Sequence, residues 1–261
     1  MKPIKFLNRI KKLVPYSAQI KLQHIHTALV SQWIINKGSQ PLNWQKKSAM
    51  VFAPHQDDET FGCGAMIALK RQQGIPVTVV FLTDGGQGVD KQAPQVNEIV
   101  YTRKQEAIEA LRILGVGESA IYFLDKKDGA LHKLTQEEQR QTIAQIVELV
   151  NFHQPEEIYV PHSKDCHNDH EVTFTLVKSA LKQVGKKIDL LQYPVWAFWK
   201  SRLFLRLKLQ DIAVAYRVPL APVKAQKTQA IACYDSQLIS LSNAFVKHFS
   251  ETDEIFFKTD Y

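Results

Sequence analysis

The stretch SAMVFAPHQDDET, residues 48–60, decides the fold, because a short apolar run ends at Pro54 and continues directly into His55 and three acidic side chains. An apolar run of this length, bounded by a proline, predicts a buried β-strand. Residues 61–73 follow with helical spacing and end before a glycine, which is a common helix stop. The stretch therefore predicts a strand that delivers polar side chains to a loop in front of a helix.

The alternation of strand and helix continues to about residue 184. The helix that begins near Thr135 opens with Glu138 three residues later, and the next helix opens with Asn168 and Glu171 at the same spacing, both of which are capping patterns. Repeated strand–helix units predict a parallel sheet that is covered by helices on both faces. Strands are predicted at 75–83, 120–124 and 157–161, and helices at 98–114, 135–152 and 168–184.

The pattern changes after residue 190. Leucines alternate with other residues from 203 to 210, which predicts a strand near a sheet edge, and residues 211–218 are expected to form its neighbour. Residues 224–239 return to helical spacing. This region therefore adds edge strands and a helix to the predicted α/β unit.

Positive charge is concentrated at the N-terminus. Residues 1–47 contain nine Lys or Arg and no acidic residue, whereas the remaining chain holds 24 basic and 26 acidic residues. Residues 4–14 predict a short basic amphipathic helix that ends at Pro15. A second helical pattern follows, with the apolar residues Leu22, Ile25, Leu29 and Trp33 on one arc. We therefore divide the chain into a basic amphipathic helical segment, 1–47, and an α/β domain, 48–261.

Length and composition limit the class of protein. The 261 residues, 45% of them apolar, suffice for one sizeable α/β domain, and no apolar run reaches the ~20 residues of a membrane span. Three cysteines argue against a disulfide framework, and no signal-peptide pattern is present, so we expect a cytoplasmic protein. Nucleic acid is not an expected partner, because the domain itself is slightly acidic.

Two clusters of metal-ligand residue types follow predicted strands, at 55–59 and at 162–170. The carboxyl ends of parallel strands meet at one sheet edge, so the clusters should lie close together. A catalytic zinc ion takes three N or O ligands and keeps one open position. One imidazole and one carboxylate from the first cluster and one imidazole from the second would suffice, but spacing alone does not distinguish Asp57 from Asp58. Asp169 or Glu59 could orient a ligating imidazole.

The sequence PHQDDETFGCGA, residues 54–65, resembles the PHPDDE…GCGG signature of the PIG-L/LmbE family of de-N-acetylases, and HNDH, 167–170, resembles its HxDH motif. The resemblance extends from residue 48 to about residue 240. It implies a Rossmann-like three-layer α/β fold with a mostly parallel sheet, a zinc ion, and hydrolysis of acyl groups on glucosamine-type sugars. Gln56 departs from the family's proline, which we expect to loosen the loop.

The resemblance also implies roles for individual residues. The metal ligands would be His55, Asp58 and His170, and the general base Asp57. His167 would polarise the acyl carbonyl, with Asp169 as its orienting partner. The substrate-binding residues would be Arg103, Asp84 and Asp128. Further matches are Glu106, which follows Arg103 in the family's RxxE segment, and a C-terminal pattern made of Lys227, Ala230, Tyr234, Ser236 and Gln237.

The functional hypothesis is therefore a zinc-dependent hydrolase that removes an N-acetyl or related acyl group from an amino sugar, including lipid-linked or polysaccharide-precursor sugars. One alternative is an amidase that acts on a non-sugar or thiol-conjugate amide, and another is a non-catalytic binding protein on the same fold. The glycine-rich LTDGGQG, residues 82–88, does not favour a nucleotide-binding protein, because such a loop is expected after the first strand.

The basic N-terminus carries a separate hypothesis. Residues 1–14 could lie on the anionic inner face of a membrane, with the aromatic residues of 196–199 adding an interfacial patch. The alternative is that this segment packs on the domain as a peripheral helix. The oligomeric state is not indicated by the sequence.

Overall fold

One eight-stranded sheet organises the part of the chain that the computed structural model describes, which is residues 15–43, 46–86, 95–200 and 215–261. The strand order is β1-β7-β8-β6-β5-β2-β3-β4, and every neighbouring pair is parallel except the two pairs that involve β8. The strands are β1 Ser39–Pro41, β2 Ala49–Ala53, β3 Val77–Thr83, β4 Ile121–Lys126, β5 Glu157–Pro161, β6 Asp189–Tyr193, β7 Ala215–Val218 and β8 Glu254–Thr259.

Eight α-helices connect and cover these strands within the described residues. Four of them alternate with strands as the sequence predicts, one precedes β1, and three short ones belong to the C-terminal part. They are α1 Tyr16–Trp33, α2 Asp58–Gln72, α3 Gln95–Ile113, α4 Gln136–His153, α5 Asn168–Val184, α6 Lys224–Ile231, α7 Asp235–Leu238 and α8 Asn243–Glu251.

Two apolar cores lie on opposite faces of the sheet, which confirms the predicted three-layer α/β fold with a mostly parallel sheet. One core contains Val51 and Phe81 with apolar residues of α2, α3, α6 and α8. The other contains Phe52 and Val80 with apolar residues of α4 and α5. Neighbouring residues of one strand point to opposite faces, so β2 and β3 are buried on both sides and read as continuous apolar runs.

The chain changes direction across the sheet between β2 and β5. From β2 it proceeds outward through β3 and β4, then returns to place β5 on the other side of β2 and continues to β6. A crevice forms at such a switch point, outside the carboxyl ends of the strands. The loops that follow β2 and β5 therefore meet there.

The helix ends agree with the sequence in part. The Thr135–Glu138 capping box at the start of α4 is confirmed. The predicted cap at Asn168 is wrong, since Asn168 is already helical and His167 is the N-cap residue, without a side-chain capping bond among the described residues. Helix α2 begins at Asp58, before the predicted start, because the Asp57 carbonyl already accepts hydrogen bonds from the amides of the next turn.

The C-terminal strands were the least predictable part of the sheet. Strand β7 falls within the predicted strand at 211–218, whereas the predicted strand at 203–210 lies outside the described residues. Strands β1, β6 and β8 were not predicted. Strand β8 lies between β6 and β7 and is antiparallel to both, so a late segment of the chain completes the middle of the sheet.

Helix α1 packs on the segment between β6 and β7. The Thr27 hydroxyl donates to the Phe198 carbonyl at 2.6 Å, and the Gln23 amide donates to the same oxygen at 2.9 Å. Ile34, just beyond the helix, is fully buried beside Ala197 and Phe198. The predicted helix is thus confirmed, but its apolar arc is not the face that packs. Among the described helices none is long and apolar enough to cross a membrane.

Candidate active site

Four loops at the carboxyl ends of neighbouring strands supply the polar residues of one site. The loop after β2 carries His55, the loop after β3 carries Asp84, and the loop after β4 carries Asp128. The loop after β5 leads through residues 165–167 into the first turn of α5. All four loops therefore meet at the switch point of the sheet.

The predicted ligand atoms of His55, Asp58 and His170 lie together. Asp58 Oδ2 is 3.0 Å from His55 Nδ1 and 3.2 Å from His170 Nε2. Ligand atoms bound about 2.1 Å from one zinc ion lie about 3–3.5 Å apart. The His170 Nε2 atom is buried and forms no hydrogen bond within the described part of the chain. Two imidazole nitrogens and one carboxylate oxygen are donor types that zinc binds, and Asp58 Oδ2 lies at ligand-to-ligand distance from each of the two ring nitrogens.

The other nitrogen of each ring is held by an acidic side chain. His170 Nδ1 is 2.7 Å from Asp165 Oδ2. His55 Nε2 is 3.0 Å from Asp128 Oδ1 and 3.3 Å from Asp169 Oδ2. These contacts fix the ring orientation, as the outer hydrogen bonds of metal-binding histidines do. Asp169 thus orients an imidazole, which was one of the two alternatives predicted from the sequence, and that imidazole belongs to His55.

Asp165 was missed by the sequence analysis. Its side chain is fully buried and accepts hydrogen bonds from the backbone amides of Val195, Trp196 and Ala197, besides the contact with His170. The available signal was an aspartate placed five residues before a candidate ligand histidine. A single acidic residue in a loop carries little information, because its partners come from the chain after β6.

The acidic residues change the protonation of the ligand candidates. Burial disfavours the charged form of His55, but hydrogen bonds with Asp128, Asp169 and Asp58 outweigh it and hold the pKa of His55 well above its usual value. Burial likewise opposes ionisation of Asp58, but His170 and His55 hold the pKa of Asp58 well below its usual value. A metal ion must therefore replace protons on the imidazoles when it binds.

Two residue groups could hold a metal ion within the described residues. The nitrogens of His55, His167 and His170 lie within 4.8 Å of one another, as do ligand atoms of His55, Asp128 and Asp169. The first group shares two members with the predicted set and adds His167 as a possible further ligand. The second group uses carboxylates that already accept hydrogen bonds, and Asp58 belongs to neither group.

Asp57 precedes α2 in a strained backbone conformation, with φ +137°. A non-glycine residue adopts such a φ only where its surroundings enforce it, at a cost on the order of 1–3 kcal/mol. Burial and the adjacent charge of Asp58 raise the pKa of Asp57 to about 8. Its carboxyl group can therefore both accept and release a proton near neutral pH.

Glu59 holds the amide of Asp57 in place. Glu59 Oε2 accepts a hydrogen bond from the Asp57 backbone nitrogen at 3.1 Å, and Oε1 accepts from the hydroxyls of Thr60 and Tyr234. Glu59 and Tyr234 are both fully buried. Burial raises the pKa of Glu59 to about 7, although these hydrogen bonds act in the opposite direction. The loop geometry thus depends on a tyrosine from the C-terminal part of the chain.

His167 lies beside both candidate ligand histidines, with its ring centroid 4.9 Å from that of His55 and 4.8 Å from that of His170. Burial, together with the positive charges of His170 and His55, lowers the pKa of His167 to about 4. Its Nδ1 atom is buried and has no hydrogen-bond partner among the described residues. The carboxylate of Asp169 accepts instead from the amides of Gly129 and Leu131, so it does not contact His167 as its orienting partner.

The three predicted substrate-binding residues are brought together but are bonded to the protein. The Arg103 guanidinium donates to the Gly85 carbonyl at 2.8 Å and lies 3.4 Å from Asp128 Oδ2. Asp84 Oδ1 accepts from the amides of Gly86 and Asp128. These side chains therefore shape the rim of the site. Among their polar atoms, Arg103 Nε is buried and has no hydrogen-bond partner within the described residues.

Gln56 ties two loops together rather than loosening one. Its side chain is fully buried and its amide donates to the Thr83 carbonyl at 2.9 Å. A Cβ atom at Gly85 would lie 2.3 Å from Gln56 Oε1, so the two loops pack in direct contact. The expectation of a looser loop was wrong, because a proline lacks the side-chain amide that makes this bond.

The residues of the predicted C-terminal pattern stabilise the helices that carry the site. Glu106 of α3 accepts from the amide and the hydroxyl of Ser236 at 2.8 and 2.6 Å. Lys227 donates to the Phe61 carbonyl of α2 at 2.8 Å and forms a buried ion pair with Glu254. The pattern thus has a structural role, apart from the contact of Tyr234 with Glu59.

The chain belongs to the PIG-L family, described as GlcNAc-PI de-N-acetylase, whose pattern matches residues 50–181. It is 23% identical over 189 residues to "Uncharacterized deacetylase YaiS" of Escherichia coli, an alignment that covers 70% of this chain and 92% of that protein. It is 35% identical over 91 residues to "Probable N-acetyl-alpha-D-glucosaminyl L-malate deacetylase 2" of Bacillus subtilis, which covers 31% of this chain and 41% of that protein.

Other relatives extend the comparison in fold and in named activity. The crystallised N,N'-diacetylchitobiose deacetylase of Pyrococcus horikoshii has the same fold, with a TM-score of 0.62, 18% identity, and coverage of 88% of this chain and 90% of that one. The "4-oxalmesaconate hydratase" of Pseudomonas putida is 27% identical over 150 residues, which is 55% of each chain. Relatives of this chain therefore include proteins named as deacetylases and one named as a hydratase.

Proposed function

We propose that this protein is a zinc-dependent hydrolase that removes an acetyl group from the nitrogen of an amino sugar. The observation that carries the proposal is the position of Asp58 Oδ2 between His55 Nδ1 and His170 Nε2, directly beside the strained Asp57. Membership of the PIG-L family and the N-acetylglucosaminyl deacetylase among its relatives support the substrate class.

In this proposal His55, Asp58 and His170 hold the zinc ion. When bound, the ion acts as a Lewis acid toward the reacting oxygen atoms. Asp165 and Asp169 keep the two imidazoles in the orientation that directs Nε2 of His170 and Nδ1 of His55 to the ion. Ligand positions fixed in advance lower the reorganisation that the reaction requires.

Asp57 acts as the general base. Its carboxylate takes a proton from the attacking water as the new C–O bond forms, and it then gives that proton to the sugar nitrogen as the C–N bond breaks. A carboxyl group whose pKa lies near 8 can take up and release a proton near neutral pH, as these two steps require. The products are acetate and a free amino sugar.

His167 stabilises the negative charge that develops on the carbonyl oxygen. With a pKa near 4 its ring is neutral at pH 7, and a neutral imidazole still donates one ring N–H. The proposal therefore assigns a hydrogen bond from neutral His167, rather than from the protonated ring, to the oxyanion. Asp84, Arg103 and Asp128 line the sugar side of the site, where Asp128 would accept from a hydroxyl.

The test measures acetate released from a panel of N-acetylhexosamine derivatives, including nucleotide- and lipid-linked sugars and a thiol-conjugated amide. Replacement Asp57→Asn should lower turnover by about 10²–10⁴-fold and leave the zinc content unchanged. Asp260→Asn, at an exposed aspartate, is the matched control and should keep full activity. Near-normal turnover of the Asp57 variant would remove it from the role of base.

The same panel separates the alternatives. If 4-oxalmesaconate is added to the panel, its hydration, with no acetate released from any sugar, would favour the activity named for the hydratase relative. A zinc-loaded protein that binds amino sugars without turnover would favour the binding protein. Release of acetate only from lipid-linked sugars would support the membrane-associated substrate. The predicted membrane contact of residues 1–14 lies outside the described residues and stays a prediction.

A further inference from the structure

Helix α1 exposes a row of large apolar side chains. Leu22, Ile25, Leu29 and Trp33 are 56%, 58%, 62% and 48% exposed, which are the values of surface residues. Their spacing of three or four residues places all four on one face of the helix. A contiguous apolar surface of this kind marks a binding site for another molecule more often than a single exposed leucine does.

The opposite face of α1 is the one that attaches the helix to the protein. Thr27 and Ser31 are each only 1% exposed, and Thr27 bonds to the Phe198 carbonyl. At 100° per residue these positions lie on the far side of the helix from Leu22 and Leu29. A different face of α1 already packs on the rest of the protein, so the exposed apolar row does not belong to the core.

The charge of the sequence segment that contains α1 indicates the class of partner. Residues 1–47 carry nine Lys or Arg and no Asp or Glu, and the described residues Lys21, within α1, and Lys37, four residues beyond it, are exposed. Two copies of this chain that met through α1 would bring these positive charges face to face, which costs free energy. An anionic lipid surface offers the complementary charge and an apolar boundary layer at the same depth.

The position of α1 places this surface near the candidate site. The chain segment that accepts the hydrogen bond of Thr27 at Phe198 also donates the amides of Val195, Trp196 and Ala197 to Asp165. Asp165 in turn holds His170. The helix is thus attached to the segment that supports one of the proposed metal ligands.

We propose that α1 is an interfacial helix, and that its face formed by Leu22, Ile25, Leu29 and Trp33 inserts into the headgroup boundary of an anionic membrane. The apolar face supplies the burial, and the basic residues of 1–47 supply the attraction to acidic lipids. This assigns the membrane contact to a described, folded helix, and it does not depend on which amide the enzyme hydrolyses.

The test is sedimentation of the full chain with vesicles of phosphatidylcholine, alone or mixed with phosphatidylglycerol. The unmodified protein should sediment with the mixed vesicles and not with the neutral ones, and high salt should weaken binding. The double variant Ile25→Ser and Leu29→Ser, which changes no charge, should lower the partition coefficient by about tenfold or more. The matched control, Ala28→Ser and Gln32→Ser on the exposed flank of α1, should bind as the unmodified protein does.

Each outcome bears on the proposal. Absence of binding to both kinds of vesicle would overturn it, and so would equal binding by the two double variants, since the apolar face would then contribute nothing. A dimer in sedimentation velocity that the Ile25/Leu29 variant alone dissociates, without vesicle binding, would assign the face to a second copy. Thermal melting of all three proteins verifies that lost binding is not lost folding.

Discussion

Asp57 and Asp58 are adjacent in the chain and have opposite electrostatic environments. Asp58 is the first residue of α2 and lies between two imidazoles, which keep the pKa of its carboxyl low although burial acts in the other direction. Asp57 stands before the helix in a strained conformation, and burial together with the charge of Asp58 raises its pKa to about 8. One carboxylate is therefore suited to hold a cation and the other to exchange a proton.

The two histidines of the HNDH motif should differ in their effect on metal binding. His170→Ala removes a buried nitrogen that lies 3.2 Å from Asp58 Oδ2, so we expect the purified variant to lose its zinc. His167→Ala should keep about one zinc per chain and lower kcat about 10²–10³-fold, because an oxyanion donor is lost. Metal analysis of both variants is the measurement. Loss of zinc from the His167 variant would instead make His167 a ligand.

Tyr234 should act on catalysis through Glu59 and Asp57. Tyr234→Phe removes the hydroxyl that donates to Glu59, and Glu59 holds the strained amide of Asp57. We expect kcat to fall by about tenfold with zinc content and KM nearly unchanged, as is usual for a residue that orients a reactive group. The control is Tyr101→Phe, at an exposed tyrosine. A change in KM alone would contradict a positioning role.

At the residue scale, the sequence predicts the candidate metal ligands but misses a residue that holds one of them in place. His55, Asp58 and His170 were predicted from spacing and resemblance, and the structure brings their ligand atoms together. Asp165 was not predicted, because its partners are backbone amides some 30 residues away. Almost every residue has a backbone amide, so the sequence does not show which amides will bond to a given side chain.

At the element scale, α2 depends on glycines that let it approach the sheet. A Cβ atom on Gly62 would lie 2.3 Å from the ring of Tyr193, which is fully buried and donates to the Phe52 carbonyl. On Gly64 it would lie 3.2 Å from the side chain of Lys227. The helix that carries Asp58 therefore packs closer to β6 than any residue with a side chain at position 62 would permit.

Gly62→Ala should destabilise the protein although alanine favours helices. The ring of Tyr193 cannot move without breaking its buried hydrogen bond, so we expect the free energy of unfolding to fall by about 1–3 kcal/mol. Denaturation by urea measures the change. Gly117→Ala is the control, since a Cβ atom there meets nothing within 4 Å and its φ is negative. A Gly62 variant as stable as the control would show that the contact is relaxed.

The elements that the sequence predicts are those with local signals, and those it misses depend on contacts between distant parts of the chain. Strands β2 to β5 and helices α2 to α5 were predicted because continuous apolar runs, helical spacing and the Thr135 capping box are local signals. Strand β8 was missed, since its place between β6 and β7 follows from pairing with strands that are distant in sequence. The orientation of α1 was also not predictable, because an apolar arc does not say which side of a helix is buried.

For the whole molecule, an ionisable group in α8, away from the site, contributes to the dependence of stability on pH. His248 of α8 lies beside Trp199 and Phe249, and burial, with a smaller contribution from Lys227, lowers its pKa from 6.5 to about 4. Its neutral ring is therefore part of the folded state. The unfolded chain takes up a proton on this ring below pH 6.5, whereas the folded chain does so only near pH 4.

The contribution of the neutral His248 ring to the free energy of unfolding should therefore be fully present above pH 6.5. It should fall as the pH decreases toward 4, because the unfolded state binds more protons over that interval. Between pH 7 and pH 5 the unmodified protein should lose about 1–2 kcal/mol more of its unfolding free energy than His248→Gln does. Urea denaturation at both pH values measures the difference. His132→Gln, at an exposed histidine, should leave the pH dependence unchanged. If the unfolding free energies of the unmodified protein and the His248 variant fell in parallel with pH, the folded protein would not keep this ring neutral. A smaller loss of unfolding free energy in the variant would instead show that part of the acid sensitivity arises in α8 rather than at the candidate metal site.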